Sequence, residues 1–452
     1  MRGWASFVLP RVLCAAVMAW SVTAAAAAGL SVAAGEPDIR VLLDRGRALR
    51  VSVEGPHQLY SAGVPLVAQP RQATWEIHAA DGAARLFRNG RYFGPARFPL
   101  VFQPASAGLI RVGDGRYRGT LEVVAESSDL LAINVLSLEE YLYGVVGCEM
   151  PVSWPLEALK AQAVACRTYA VSHRAQARRA GFPYDLGATA AWQVYRGVER
   201  ESARVRAAVD GTRGQILTYA GSPIRAVYHS SSGGHTASSQ EVWGVDYPYL
   251  QAVPDHDQDS PYAFWSEAVP MEVIQEVVAA VAGDDVMVTA VEPVGPRSVS
   301  GRWPKIRIRW ETGELVMSAG DFRLRVGLPS TVWEEVTVVL SEDEVDAVAR
   351  LDFVDPVSIL DARGRTVRKV VGGNTAVAAG GRTKLLIRPY VLVRRTVAAH
   401  VLFRGRGWGH GVGMSQWGAK ALAERGWTYR RILQYYYPGT RLDTARWSWG
   451  EP

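Results

Sequence analysis

The sequence predicts an α+β protein: a mostly β N-terminal lobe followed by a mixed α/β core around one long helix, the whole forming a groove. Three observations carry this expectation. Short alternating apolar segments, divided by turn residues, fill residues 36–135. A single apolar stripe at three- and four-residue steps begins at Pro155. Strand-like and helix-like segments then alternate to the C-terminus.

The chain has 452 residues, a length that suggests roughly two to four domains. It is 48% hydrophobic and 21% charged, enough apolar material for a sizeable core. With 15 Trp, 18 Tyr and 10 Phe, disordered and collagen-like architectures are excluded. The net charge of +6 is mild at this length, and no basic run points to nucleic acid. Three cysteines are too few for a disulfide framework or a cysteine-ligated zinc module.

Residues 1–30 read as an address. Arg2 and Arg11 precede an uncharged stretch from Val12 to Gly35, which turns into the small-residue run Thr23 to Gly29. That is the layout of a secretory signal peptide, and uncut it is long enough to span a bilayer as an N-terminal anchor. Either form puts the rest of the protein outside the cytoplasm, secreted or held at the extracytoplasmic face of the membrane.

After the polar break Glu36-Pro37-Asp38, strands are expected at 39–43 and 49–53 around the turn Asp44-Arg45-Gly46. More follow at 74–77, 110–112 and 119–124, which makes 36–135 the β lobe. A core segment, 136–340, opens with a short helix from Leu138 that ends at Gly144. The long helix starts at Pro155 and stops near Gly181; Leu156, Leu159, Ala163, Cys166 and Ala170 form its stripe, while Lys160, Arg167 and Arg174 recur every seven residues on another face. Strands are expected at 214–219, 224–228 and 305–310, with a helix over 271–282. Residues 341–398 are Gly-, Val- and Arg-rich with strand alternation, a β insertion of unknown role. The last segment, 399–445, holds a glycine-rich corner, a helix over 415–425 and the stretch 428–437.

Three clusters carry candidate chemistry. In Gly144-Val145-Val146-Gly147-Cys148-Glu149-Met150-Pro151 one carboxylate sits among apolar and small residues. Desolvated there, it would stay protonated near neutral pH and serve as a general acid; alternatively it is simply ion-paired, for instance by Arg167. In Tyr228-His229-Ser230-Ser231-Ser232-Gly233-Gly234-His235-Thr236, hydroxyls and backbone N–H groups suit a polyhydroxylated ligand or an oxyanion, or else make an ordinary polar turn. His229 and His235 lack a third convergent ligand, so no metal is expected. The corner Arg404 to Gly418 fits neither a dinucleotide fingerprint nor a Walker loop. Its glycines imply close backbone approach to a ligand or to another chain segment, with His410 a hydrogen-bond donor or proton carrier. The run Asp255-His256-Asp257-Gln258-Asp259 reads as a solvated loop or, less simply, a calcium collector. Cys148 and Cys166 are either a disulfide or small buried side chains.

Taken together, these segments resemble the stage II sporulation protein D / LytB family. The resemblance rests on Leu138-Glu139-Glu140-Tyr141-Leu142-Tyr143-Gly144-Val145-Val146, on Glu149-Met150-Pro151, on Pro155 to Ala165 and on Arg167-Thr168-Tyr169-Ala170. Gln193-Val194-Tyr195, Ser232-Gly233-Gly234, Pro248-Tyr249-Leu250, Ser300-Gly301-Arg302 and Gly327 to Thr331 follow in order. The glycine corner and Ile432 to Thr440 close it. The resemblance implies a lytic transglycosylase that cuts peptidoglycan between N-acetylmuramic acid and N-acetylglucosamine, preferably on strands free of stem peptides, and leaves 1,6-anhydro ends. It makes Glu149 the catalytic acid. Lys160, Arg167, Gln193, Tyr195, Ser232, Gly233, Gly234, Thr236, Trp408, His410, Ser415 and Gln416 would line the groove. No cofactor is expected. The setting implied is sporulation and engulfment, with a membrane-associated amidase as partner. A non-catalytic amidase enhancer and a hydrolytic glycosidase are the competing functions; the latter usually needs a second carboxylate, and none is nominated. Some members carry Cys/His metal ligands before the Gln-Val-Tyr motif, whereas this chain has Gly187-Ala188-Thr189-Ala190-Ala191-Trp192 there, so no zinc is expected.

Overall fold

The computed structural model describes residues 36–445 except 70, 81, 106–107, 284–285, 346–355, 361–365, 371–375, 380–381 and 387–392. The signal or anchor segment, 1–30, lies outside the described residues. No helix among the described residues is long and apolar enough to cross a membrane.

The fold is α+β and mostly β. The alternating segments of the N-terminal lobe pair into two sheets. A seven-stranded sheet runs Leu186–Gly187, Asp38–Gly46, Asp129–Ser137, Thr120–Glu126, Leu100–Pro104, His57–Ser61, Val64–Gln69. A six-stranded sheet runs Gly115–Tyr117, Ile110–Val112, Ala48–Val53, Ala73–Ala80, Ala83–Arg88, Arg91–Ala96. Every second residue enters one shared core: Ile39 and Val41, Val51 and Val53, Trp75 and Ile77 are all buried. The Trp75 ring lies 6.0 Å from Phe102 of the other sheet. Its indole N–H donates to His57 Nε2 at 3.1 Å, which satisfies the one polar atom it brings inside. The expected turn at 44–46 is instead strand; a bulge between Leu42 and Asp44 lets the pairing with 129–137 continue to Gly46.

The inner strand Asp129–Ser137 feeds directly into helix α1, Leu138–Glu149, whose N-terminus is capped by Ser137 Oγ accepting from Glu140 N–H. This helix does not stop at Gly144. An added Cβ at Gly144 would lie 2.6 Å from the Tyr195 ring, and one at Gly147 would lie 2.4 Å from the Arg200 carbonyl. Both glycines therefore serve close packing of the 195–200 segment rather than termination, and the helix carries on to Glu149.

Helix α2, Leu156–Arg179, follows Pro155, and its stripe residues Leu159, Ala163, Cys166 and Ala170 are all buried. It is the axis of the core. Helices α1, α3 (Ala203–Asp210), α7 (Gln416–Glu424) and α8 (Tyr429–Tyr436) all pack against it. Between them in sequence come α4 (Ser239–Trp243), α5 (Met271–Ala282) and α6 (Ala319–Val326). Residues 224–227, expected as strand, are not one; only Tyr228–His229 pairs, in parallel, with Met414–Ser415. Helix α5 and strand Lys305–Trp310 lie where expected and share a third core with Trp333 and Phe403. Strand Val332–Val345 pairs antiparallel with Val393–Arg406, so the 341–398 segment begins as the continuation of a two-stranded ladder.

Arg167 is 0% exposed and points into this core. Its guanidinium donates to both oxygens of Glu139, at 2.8 and 2.6 Å, and to the Val209 and Gln215 carbonyls at 3.2 Å. The buried charge is thus answered on α1, not at Glu149. Removing either partner leaves a buried charge unanswered. Arg167→Met and Glu139→Gln are each expected to lower stability by about 3–5 kcal/mol, measured as a large fall in Tm. Arg167→Lys should recover little, because an ammonium cannot reproduce the fork; a wild-type Tm for it would refute this account.

Candidate active site at the end of the first helix

Glu149 is the last residue of α1 and is partly buried. Its Oε1 accepts from the Val194 N–H at 2.7 Å, and the Tyr228 hydroxyl also bonds its carboxyl. No cation pairs with it among the described residues. Burial pushes its pKa above the ordinary glutamate value, and the two hydrogen bonds pull it only part of the way back. The C-terminal end of a helix, where the dipole disfavours an anion, works in the same direction.

The surroundings follow from the glycines. Because Gly144 and Gly147 admit the 193–200 strap, Val194 can reach Glu149. Gln193, fully buried, accepts from Tyr141 OH at 3.2 Å and donates to Tyr228 OH at 3.3 Å and to the Cys166 carbonyl at 3.4 Å. A relay thus runs Tyr141, Gln193, Tyr228, Glu149. On the other side Gln416 Nε2 donates to the Glu149 carbonyl at 2.9 Å. Cys148 and Cys166 are free thiols, pushed up to about 11 and about 12 by burial, so both are neutral.

A second wall is built by the parallel pairing of Tyr228–His229 with Met414–Ser415. The close approach expected of the glycine corner is to another chain segment. A Cβ on Gly413 would lie 2.1 Å from the Val227 carbonyl, and one on Gly409 2.8 Å from His229 Cβ. His410 accepts from Val412 N–H through Nδ1 at 3.0 Å, so the proton of the neutral ring sits on Nε2. Burial, then the charges of Arg323 and Arg302, lower its pKa to about 3. It is therefore a fixed neutral donor and not a proton carrier near neutral pH. Trp408 is exposed and packs on Tyr262 with ring centres 4.6 Å apart.

Other candidates sit elsewhere. Lys160 pairs with Glu157 at 2.7 Å and lies over the Tyr429 ring. Arg167 is the internal strut described above. Tyr195 donates to Asn134 at 2.9 Å, facing the β lobe. Ser415 caps α7 by accepting from Gly418 N–H at 3.1 Å. The serine loop is turned inward: Ser232 donates to His229 Nε2 at 2.8 Å, and Thr236 bonds Val253. The Gly233 and Gly234 N–H groups go to Asp257 at 2.8 and 2.9 Å, with the Ser231 hydroxyl at 2.5 Å. The 255–259 run is thus no solvated loop at Asp255 and Asp257, which are both buried. Among the described residues no three His, Cys, Asp or Glu converge as metal ligands. Just before the Gln193 strap, Trp192 covers Gly187 and meets His173 edge-on at 5.5 Å. Tyr228 heads the serine-rich cluster and Asp257 lies in the acidic run, but their sequence context did not indicate the bonds to Glu149 and to the serine loop. The Ser-rich run flagged the loop but not the acid that holds it.

A buried glutamate whose pKa is raised weakens folding as pH rises from its unfolded value toward its folded one, since the native state then holds the extra proton. Glu149→Gln, a neutral isostere, is therefore expected to match or exceed the wild-type Tm at neutral pH. The difference should shrink as pH falls below the ordinary carboxyl range. A lower Tm for the variant at neutral pH would mean the carboxylate is stabilised in place.

Residues 126–219, which include Glu149 and the Gln193 strap, match the SpoIID family model, described as stage II sporulation protein. An uncharacterized protein of Brachyspira hyodysenteriae is 29% identical over 326 residues, 72% of each chain. Stage II sporulation protein D of Bacillus subtilis is 28% identical over 70% of this chain and 76% of its own length. The amidase enhancer of Bacillus subtilis is 30% identical over 67% of this chain but only 40% of its own length. Residues 126–219 therefore carry a SpoIID-type domain, and beyond it the chain is similar to stage II sporulation protein D and to the amidase enhancer.

Proposed function

We propose that the protein is a lytic transglycosylase that cleaves peptidoglycan glycan strands at the muramic acid–glucosamine bond. The observation that carries this reading is Glu149: a partly buried carboxyl, held by two donors, paired with no cation among the described residues and with its pKa raised by burial. Its proton passes to the glycosidic oxygen as the C1–O bond breaks and oxocarbenium character develops. The new carboxylate then takes the proton of the muramic acid C6 hydroxyl, whose oxygen closes on C1. One group serves both halves, water is not consumed, and the product ends in a 1,6-anhydro ring. A two-carboxylate hydrolysis would require a second acid placed for water activation, whereas this route requires only Glu149. The Val194 N–H and Tyr228 hydroxyl steady the anionic intermediate stage, and Gln193 orients Tyr228.

The setting proposed is the extracytoplasmic face in wall remodelling during sporulation, acting with an amidase that strips stem peptides. The relative named amidase enhancer supports a second reading, in which the groove binds strands and stimulates the amidase without cutting.

Purified protein should convert stem-peptide-free strands to anhydro-muramic acid ends, read by mass spectrometry, and Glu149→Gln should lose about 10²–10⁴-fold in rate. Reducing ends would indicate hydrolysis; strand binding without cutting, unchanged in the variant, would favour the enhancer. The activity should also fall at high pH as Glu149 ionises. Because the Tyr228 bond favours the carboxylate, Tyr228→Phe should move that alkaline limb to higher pH while lowering the maximal rate. A limb unmoved by Tyr228→Phe would separate it from Glu149.

A further inference from the structure

A row of aromatic rings stands beside Glu149, on the face of α2 that meets Trp192. Tyr169 and His173, one helical turn apart, stack with ring centres 3.9 Å apart and planes at 26°. Trp192 closes the row, edge-on to His173 at 5.5 Å. Gly187 makes the room for it: an added Cβ there would lie 3.0 Å from the indole. Two ties join this wall to the acid. Trp192 lies just ahead of Gln193 and Val194, and the Val194 N–H bonds Glu149 Oε1 at 2.7 Å. The charge of Glu149 is also felt at Tyr169, whose hydroxyl is pushed up to about 12 by burial first and then, against Arg225, by that carboxylate.

The polar atoms of the wall are unspent. His173 Nδ1 lies 2.9 Å from the Tyr169 carbonyl, which can only accept, so the proton of the neutral ring sits on Nδ1 and Nε2 presents a lone pair. Burial, the largest influence, lowers the His173 pKa and so favours that neutral ring. His173 Nε2, the Tyr169 hydroxyl and the Trp192 indole N–H have no hydrogen-bond partner among the described residues. None of the three side chains is fully buried, and Trp192 is 38% exposed. An uncharged acceptor is thus flanked by two donors on an aromatic surface. Sugar hydroxyls both donate and accept. The 2-acetamido group of a hexosamine instead sets a pure donor, its N–H, beside a pure acceptor, its carbonyl, and adds a methyl that suits aromatic rings.

We propose that Tyr169, His173 and Trp192 form an acetamido-reading subsite beside Glu149, occupied by one N-acetylated hexosamine of the strand. His173 Nε2 accepts the amide N–H, the Tyr169 and Trp192 donors serve the amide carbonyl and a neighbouring hydroxyl, and the rings take the methyl. Resting on the glycan-strand reading above, the subsite adds a requirement on the sugar itself: a strand whose amines are unacetylated lacks the group that is read.

The test uses the full-length protein carrying Glu149→Gln, so that ligands are bound and not consumed. Chitotetraose and cellotetraose are titrated; both are neutral tetramers with the same linkage, and only the first carries acetamido groups in place of 2-hydroxyls. Chitotetraose should bind about tenfold or more tighter, because its amide answers the waiting acceptor and donors. His173→Phe keeps a ring on Tyr169 but removes the acceptor; it should erase that advantage and leave cellotetraose binding unchanged, which also shows that the wall is still folded. Trp192→Phe, at an exposed position, should reduce the advantage. Equal binding of the two tetramers by the Glu149→Gln protein, or binding of neither, overturns the subsite. So does a His173→Phe loss that falls equally on both, since His173 would then only brace α2 against the strap. Strand cutting by the wild-type protein is read separately. If the acetamido preference holds but no strand is cut, the transglycosylase reading fails and the subsite stands; if strands are cut without the preference, the subsite fails and the reading stands.

Discussion

Two missing side chains shape the site. Gly144 and Gly147 face the 193–200 segment so closely that an added Cβ at either position would collide with the Tyr195 ring or the Arg200 carbonyl. With the strap laid flat on α1, the Val194 N–H reaches Glu149 and Gln193 enters the core, where it bridges Tyr141 and Tyr228. Helix propensity argues against glycine inside a helix, by about 1 kcal/mol each relative to alanine. Here that loss is offset by a strap that could not otherwise dock.

A glutamate whose pKa is raised also needs cations kept away, and the core answers its cationic charges elsewhere. Arg167 lies on the helix that packs against α1, yet its fork is fully taken by Glu139 and backbone carbonyls. Arg174 and Arg178 are drawn to Asp38 at the far end of α2. Around the second wall, Asp257 collects the serine-loop donors and so holds the turn against the glycine corner. The two groups that bond the Glu149 carboxyl, the Val194 N–H and the Tyr228 hydroxyl, carry no net charge, and desolvation is the largest influence on its proton. The glycine corner performs the same service as the α1 glycines. It lets the 227–233 and 404–415 backbones meet, and so sets His410 beside Tyr228.

Much of this was legible in the chain itself. Alternation marked the β lobe, a 3.6-residue stripe marked α2, and the small-residue setting of Glu149 marked a desolvated carboxyl. These are signals carried by neighbours in sequence, where periodicity alone says which face is apolar. The misread end of α1 has the same origin. A glycine looks like a stop when only local preference is weighed, and its partner segment lies about fifty residues away, at Tyr195.

What the sequence by itself determined was therefore most of the elements, the glycine-rich and aromatic character of the chain, and the one carboxyl set among small apolar residues. Only the tertiary structure decided which polar group answers which. Arg167 met Glu139, 28 residues upstream, rather than Glu149. Asp257 met the serine loop more than twenty residues before it, and the hydroxyls expected in the groove turned inward. The reason is physical: burial makes each polar group find a partner, but the partner is chosen by three-dimensional proximity, which no local pattern encodes.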